Sequence, residues 1–211
     1  MHILPTRLIG PRRDLEKNFA DMYNSKWSEQ SYNLLCDYTV DLASGALEAS
    51  APLVPPDVSA APVVGGQLPM EFPVIAPGAR HRAPRYVYTN AFSGSGGGYF
   101  DAIQKLDVQG GGSMTMSRVL PPGTFPSEVE FIPRRGAAGA AGDGKVSEED
   151  EDDGFLLYLE YDAAAHKSSL VILDAKDVEG APLAVCHLPY HVPYTFHGTY
   201  KAAASAGAGA R

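Results

Sequence analysis

Cysteine is scarce in this chain. Cys36 and Cys186, the two cysteines among 211 residues, lie far apart and belong to no CxxC pair. That excludes a disulfide framework and a cysteine-built metal or redox motif, and both read as reduced cysteines of a core. Basic charge is also short: 17 Lys and Arg stand against 25 Asp and Glu, a formal net charge of -8. Sequence-independent binding to nucleic acid needs phosphates neutralised by Lys and Arg, so nucleic acid is not an expected partner. Long apolar runs are missing, so no transmembrane segment is expected. Met1 to Gly10 holds no continuous apolar stretch of the kind a secretory signal requires. Arg7, Arg12 and Arg13 have the look of an organelle transit peptide, but Asp14 and Glu16 follow at once.

Turn formers, by contrast, are plentiful: 22 Gly and 17 Pro in a chain that is 45% hydrophobic and 20% charged point to many short strands. The exception comes first. After Pro11, Leu15, Phe19, Met22, Tyr23 and Trp27 recur at three- and four-residue steps, which predicts one short N-terminal helix within a segment 1–30. Strands are expected at 32–42, 85–92, 102–108, 113–120, 129–133, 155–161, 169–174 and 183–188, with a turn at Ser44-Gly45. Leu170 to Leu173 is apolar throughout, as for a strand buried on both faces. The Pro/Ala-rich stretch 48–67 reads as a loop, 136–153 as a disordered low-complexity acidic insertion, and 202–211 as an untethered tail. The fold class is all-β, a sandwich, barrel or set of propeller blades spanning 31–201.

Chemistry concentrates near the C-terminus. From Cys186 to Lys201 the chain places His187, His191 and His197 among aromatic residues and prolines, and imidazole is the commonest metal ligand in proteins. Upstream, Met70-Glu71-Phe72-Pro73 precedes Arg85-Tyr86-Val87-Tyr88, and Pro126-Ser127-Glu128 precedes Glu151-Asp152-Asp153-Gly154. Leu173-Asp174-Ala175-Lys176 and Tyr194-Thr195-Phe196-His197-Gly198 complete the series. In this order and spacing, over about residues 34 to 201, the motifs resemble the C-terminal part of the carotenoid oxygenase family, which includes the carotenoid cleavage dioxygenases and the retinal pigment epithelium isomerases.

The resemblance implies the last blades of a seven-bladed β-propeller whose axis holds Fe2+ on four histidines, three of them oriented by glutamates. It matches His197 to the last ligand, Glu128 to the glutamate that orients it, and Glu71 to the glutamate behind the third histidine. Glu128 is then expected within hydrogen-bond reach of His197, with Glu71 aimed at the same centre. His187 and His191 match no ligand and read as structural, and His2, His81 and His166 as solvated. One departure stands beside Glu128: the family has Pro and an apolar residue next, this chain Val129 and Glu130. Either a second carboxylate faces the same side or the strand is bulged there.

The three upstream histidines have no place in this chain, which therefore reads as a piece with an open sheet edge and an apolar surface. The activity implied is oxidative cleavage of a double bond in a carotenoid or apocarotenoid by dioxygen. Two alternatives remain: a non-catalytic remnant acting as a β-rich interaction module, and a retinyl-ester isomerohydrolase. Any peripheral membrane contact would belong to the missing N-terminal part, and plastid and cytoplasm are both open.

Overall fold

The computed structural model describes residues 2–3, 6–9, 32–52, 70–80, 82–93, 99–109, 115–134, 150–194 and 197–201, and these fold as three antiparallel sheets. In the first, β3 (Tyr32–Val40) is central, flanked by β4 (Leu47–Pro52) and by β1 (His2–Ile3) with β2 (Thr6–Ile9). Ile3 faces Tyr38 and Thr6 faces Leu35, so the register along β3 is unbroken from β1 to β2. The two segments therefore continue one line of pairing. The β3–β4 turn uses Gly45 at φ 71, a conformation glycine adopts without strain, while Asp41 accepts hydrogen bonds from the Ala43 and Ser44 backbone. A bond from the Ser44 hydroxyl first, and then those two backbone bonds, hold the Asp41 carboxyl below its ordinary pKa.

The second sheet is an up-and-down meander of β5 (Met70–Val74), β6 (Tyr86–Ala91), β7 (Ala102–Asp107) and β8 (Thr115–Val119). Side chains on β6 and β7 alternate between two cores, as the strand period of two requires. Val87, Ala91, Ala102 and Leu106 pack with Leu35 of β3 and Met70. Tyr88 and Ile103 pack on the other side with Val129, Phe131, Leu156, Tyr158, Val171 and Leu173. Every residue of β7 is buried, because this sheet is covered on both faces.

The third sheet runs β10 (Glu130–Pro133), β11 (Gly154–Asp162), β12 (Lys167–Asp174), β13 (Ala184–His187), with β9 (Thr124–Pro126) on the far half of β11. Here the pattern departs from expectation in two places. Val171 and Leu173 are buried whereas Leu170 and Ile172 are half-buried, so β12 is one-sided and not sealed on both faces. Cys36 is buried, but Cys186 lies exposed on edge strand β13 and belongs to no core. Val119 on β8 and Val185 on β13 are exposed apolar residues on edge strands.

The seam between the second and third sheets overturns part of the acidic-insertion reading. Glu151 is buried, its Oε1 accepting the Arg85 and Tyr86 N–H groups at 2.8 Å each and its Oε2 lying 2.6 Å from the Arg82 guanidinium. Asp152 meets Lys105 of β7 at 2.6 Å, and that ammonium sits 4.4 Å from the centre of the Tyr86 ring. A buried carboxylate needs such partners, and these acids staple β11 to the neighbouring sheet instead of facing solvent. The loop assigned to 48–67 is also shortened, because β4 extends to Pro52. The helical pattern at 15–27, residues 135–149 and the tail 202–211 lie outside the described residues.

Candidate functional site

Glu128 sits where the ladder skips. Pro126 of β9 faces Glu160 and Glu130 of β10 faces Leu157, so four steps on one strand span three on the other. That is a β-bulge, which re-aims side chains, so the strand is bulged at Val129 and Glu130, one of the two alternatives their sequence posed. Ser127 stabilises it twice, donating its N–H to Leu159 O at 2.8 Å and accepting the Leu159 N–H on its Oγ at 2.9 Å. The second sheet begins the same way. Glu71 faces Asn90 and Val74 faces Tyr88, three steps against two, with Phe72 at φ 56 inside the extra residue. A phenylalanine in that region is strained, and the strain turns the strand at the residue after Glu71.

The segment after β13 returns across these bulges. Ser168 ties it down, accepting the Val192 N–H at 2.9 Å. Tyr194 then wedges its ring against Tyr99 and Phe125, at centroid distances of 5.5 and 6.2 Å. Burial raises the Tyr194 hydroxyl pKa well above its ordinary value, so it stays neutral. Three residues on, His197 places Nδ1 3.0 Å from Glu128 Oε2, with its ring edge-on to Phe72 at 5.3 Å. A carboxylate can only accept, so Nδ1 carries the proton. The His197 side chain is 74% exposed and that of Glu128 20%.

Of the three residues singled out from the motifs, His197 and Glu128 are thus in direct contact. Glu71 is half-buried on β5, and its neighbour Phe72 packs edge-on against the histidine ring. Glu130 stands next to Glu128. Burial first, and then the Glu128 charge, push its carboxyl above the ordinary value. Phe72 and Phe92 flank Phe100 at 5.2 and 4.3 Å, which makes an aromatic wall beside His197.

The other histidines stand apart. His187 pairs with the Ser169 hydroxyl at 3.0 Å, and His166, exposed as expected, bonds the Tyr161 hydroxyl at 2.8 Å and stacks on His191 at 4.2 Å. His2 lies in β1, and His81 is outside the described residues. Among the described residues no three His, Cys, Asp or Glu side chains gather as a metal site would need. Sequence reasoning missed Asn90, whose side chain reaches both sides of Glu128. Its position two residues after Tyr88, on the face of β6 that looks toward the third sheet, was the signal available.

Residues 8–202 match the family model described as Retinal pigment epithelial membrane protein. The chain belongs to this family. It is 40% identical over 131 residues to the apocarotenoid-15,15'-oxygenase of Synechocystis sp., covering 62% of this chain and 24% of that protein. With the carotenoid 9,10(9',10')-cleavage dioxygenase of Crocus sativus it shares 35% identity over 97 residues, covering 46% of this chain and 16% of that one. The cobalt-substituted Synechocystis oxygenase structure superposes with a TM-score of 0.67 at 30% identity, over 95% of this chain and 36% of that one. The chain therefore spans about a third or less of the relatives it matches. The superposition extends the likeness from sequence to the antiparallel sheets.

Proposed function

We propose that this chain forms the C-terminal portion of an iron(II)-dependent dioxygenase that cleaves a double bond of a carotenoid or apocarotenoid. In this reading the three sheets are successive blades of a β-propeller, and the bulged first strands of the last two face its axis. The observation that carries the reading is the 3.0 Å bond between Glu128 and His197 Nδ1, in a family whose relatives are named as carotenoid and apocarotenoid oxygenases.

The donor set fits the corner of a metal site. A ligating imidazole is commonly fixed in tautomer and angle by a carboxylate on its other nitrogen, and Glu128 occupies that position. Protonation at Nδ1 makes Nε2 the basic nitrogen, the one that would hold ferrous iron. Glu128 orients the ring and offsets positive charge without occupying a coordination position, and Glu71 is assigned the same task toward a histidine outside this chain. The Phe72, Phe92 and Phe100 wall keeps that side of the ring apolar, a surface suited to excluding water beside a hydrocarbon substrate. Iron, when bound, supplies the site at which dioxygen is activated.

One histidine cannot replace four, so the 211-residue chain by itself should retain iron well below one equivalent, read by elemental analysis after gel filtration. The decisive test joins this chain to the upstream two thirds of the Synechocystis apocarotenoid oxygenase, in place of the matching C-terminal region. Incubation with an apocarotenoid and dioxygen should give two carbonyl products. A chimera that loads iron yet yields no carbonyl fragments would overturn the cleavage reading. Release of an isomerised alcohol from a retinyl ester would move the chain to the isomerohydrolase branch.

A further inference from the structure

We infer that Asn90 is a positioning residue: its buried amide clamps the bulge that carries Glu128 and so sets the carboxylate that orients His197. The inference rests on the metal-corner reading above. Asn90 Nδ2 donates to the Ser127 carbonyl at 2.8 Å, and Asn90 Oδ1 accepts the Val129 N–H at 3.3 Å. Those backbone groups flank Glu128 on either side. The two ends of one planar side chain therefore fix the separation of the peptide units between which the acid projects.

The bulge explains why an amide is needed. Leu159 N–H is taken by the Ser127 hydroxyl and Leu159 O by the Ser127 N–H, so the neighbouring strand leaves the Ser127 carbonyl and the Val129 N–H to Asn90. A side chain that donates and accepts at once satisfies both. Aspartate would lose the donor, and alanine would leave both groups without that partner where Val129 is fully buried. Asn90 is also the ladder partner of Glu71. Through its backbone on one side and its side chain on the other, this one residue links both acids assigned to the metal centre.

The test reads the His197 tautomer in the 15N-labelled 211-residue chain, using long-range 1H–15N correlations of the imidazole. The wild-type ring should be mainly protonated at Nδ1. Asn90→Ala should lower the ratio of Nδ1–H to Nε2–H by about fivefold, the worth of roughly one net hydrogen bond, and Glu128→Ala should lower it at least as far. Thr89→Val should leave it unchanged, because the buried Thr89 hydroxyl, on the opposite face of β6, has no hydrogen-bond partner among the described residues. A shift in Glu128→Ala without one in Asn90→Ala would overturn the Asn90 assignment alone. No shift in either would overturn the Glu128–His197 reading beneath it. Should Asn90→Ala fail to fold, the wild-type chain still decides. A scalar coupling across the hydrogen bond from Asn90 Nδ2 to the Ser127 carbonyl carbon, with slow exchange of that amide, supports the clamp, and rapid exchange without coupling overturns it.

Discussion

Two glutamates in this chain do opposite work. Glu151, at the seam between the second and third sheets, has a side chain 0% exposed, two backbone N–H donors on Oε1 and the Arg82 guanidinium ion-paired with Oε2, whereas Glu128 is 20% exposed and reaches a histidine that is 74% exposed. Removing water from a carboxylate is costly unless every lone pair finds a donor, so a site like that of Glu151 is closed and structural. The Glu128–His197 pair keeps a solvent-facing side, as the proposed metal corner requires. Sequence context pointed the other way for one of them, since Glu151 lies inside the acidic run 148–153, which looks solvated, while Glu128 stands in a Pro-Ser-Glu motif.

The sharpest way to break the comparison is to delete the buried acid. Glu151→Ala strips the Arg85 and Tyr86 amides of their acceptor and the Arg82 guanidinium of its partner, and should cost about 3 kcal/mol in urea unfolding. A loss comparable to that of an ordinary surface change would mean the seam is not held by charge. Next in size is Gly154→Ala at the start of β11. An added Cβ there would meet the Phe131 ring at 2.5 Å and the Ile132 carbonyl oxygen at 2.6 Å, and the backbone atom cannot swing away. The expected cost is about 2 kcal/mol by the same measurement.

Glu128→Gln should separate function from fold. Stability of the 211-residue chain should change by no more than about 0.5 kcal/mol, while iron affinity of the chimera should fall about 10-fold or more. Equal losses in both would erase the distinction between the two acids. The smallest effect is expected at Glu130. Its carboxyl is raised above 4.5 by burial and by the Glu128 charge, so the folded chain holds that proton more tightly than the unfolded one. Stability should therefore decline as pH rises from the ordinary carboxylate value through the folded value. Glu130→Gln should remove that decline, visible as urea midpoints that no longer fall over this window.

Much of the two later sheets was legible because their strands alternate and end at Gly, Pro or Asp. Tyr86 to Ala91 and Gly154 to Asp162 emerge at nearly their expected limits. The Pro126-Ser127-Glu128 and Tyr194 to Gly198 motifs likewise marked two residues that the fold brings into contact. What escaped was set by long-range geometry. A bulge is a mismatch between two strands and cannot be seen in one, so at Val129 and Glu130 it stood only as one of two alternatives, and the two hydrogen bonds of Asn90 were hidden. Burial of Glu151 depends on Arg82 and the amides of Arg85 and Tyr86, more than sixty residues upstream. The alanine-rich β4 carried too weak an alternation to stand out from a loop, and is held by its pairing with β3.

The most direct measurement is iron content in the chimera that carries this chain behind the upstream part of the Synechocystis oxygenase. The account predicts close to one iron per chain for the unaltered sequence, a large loss for His197→Ala, and an intermediate value for Glu128→Gln. Full iron occupancy retained in His197→Ala would contradict it.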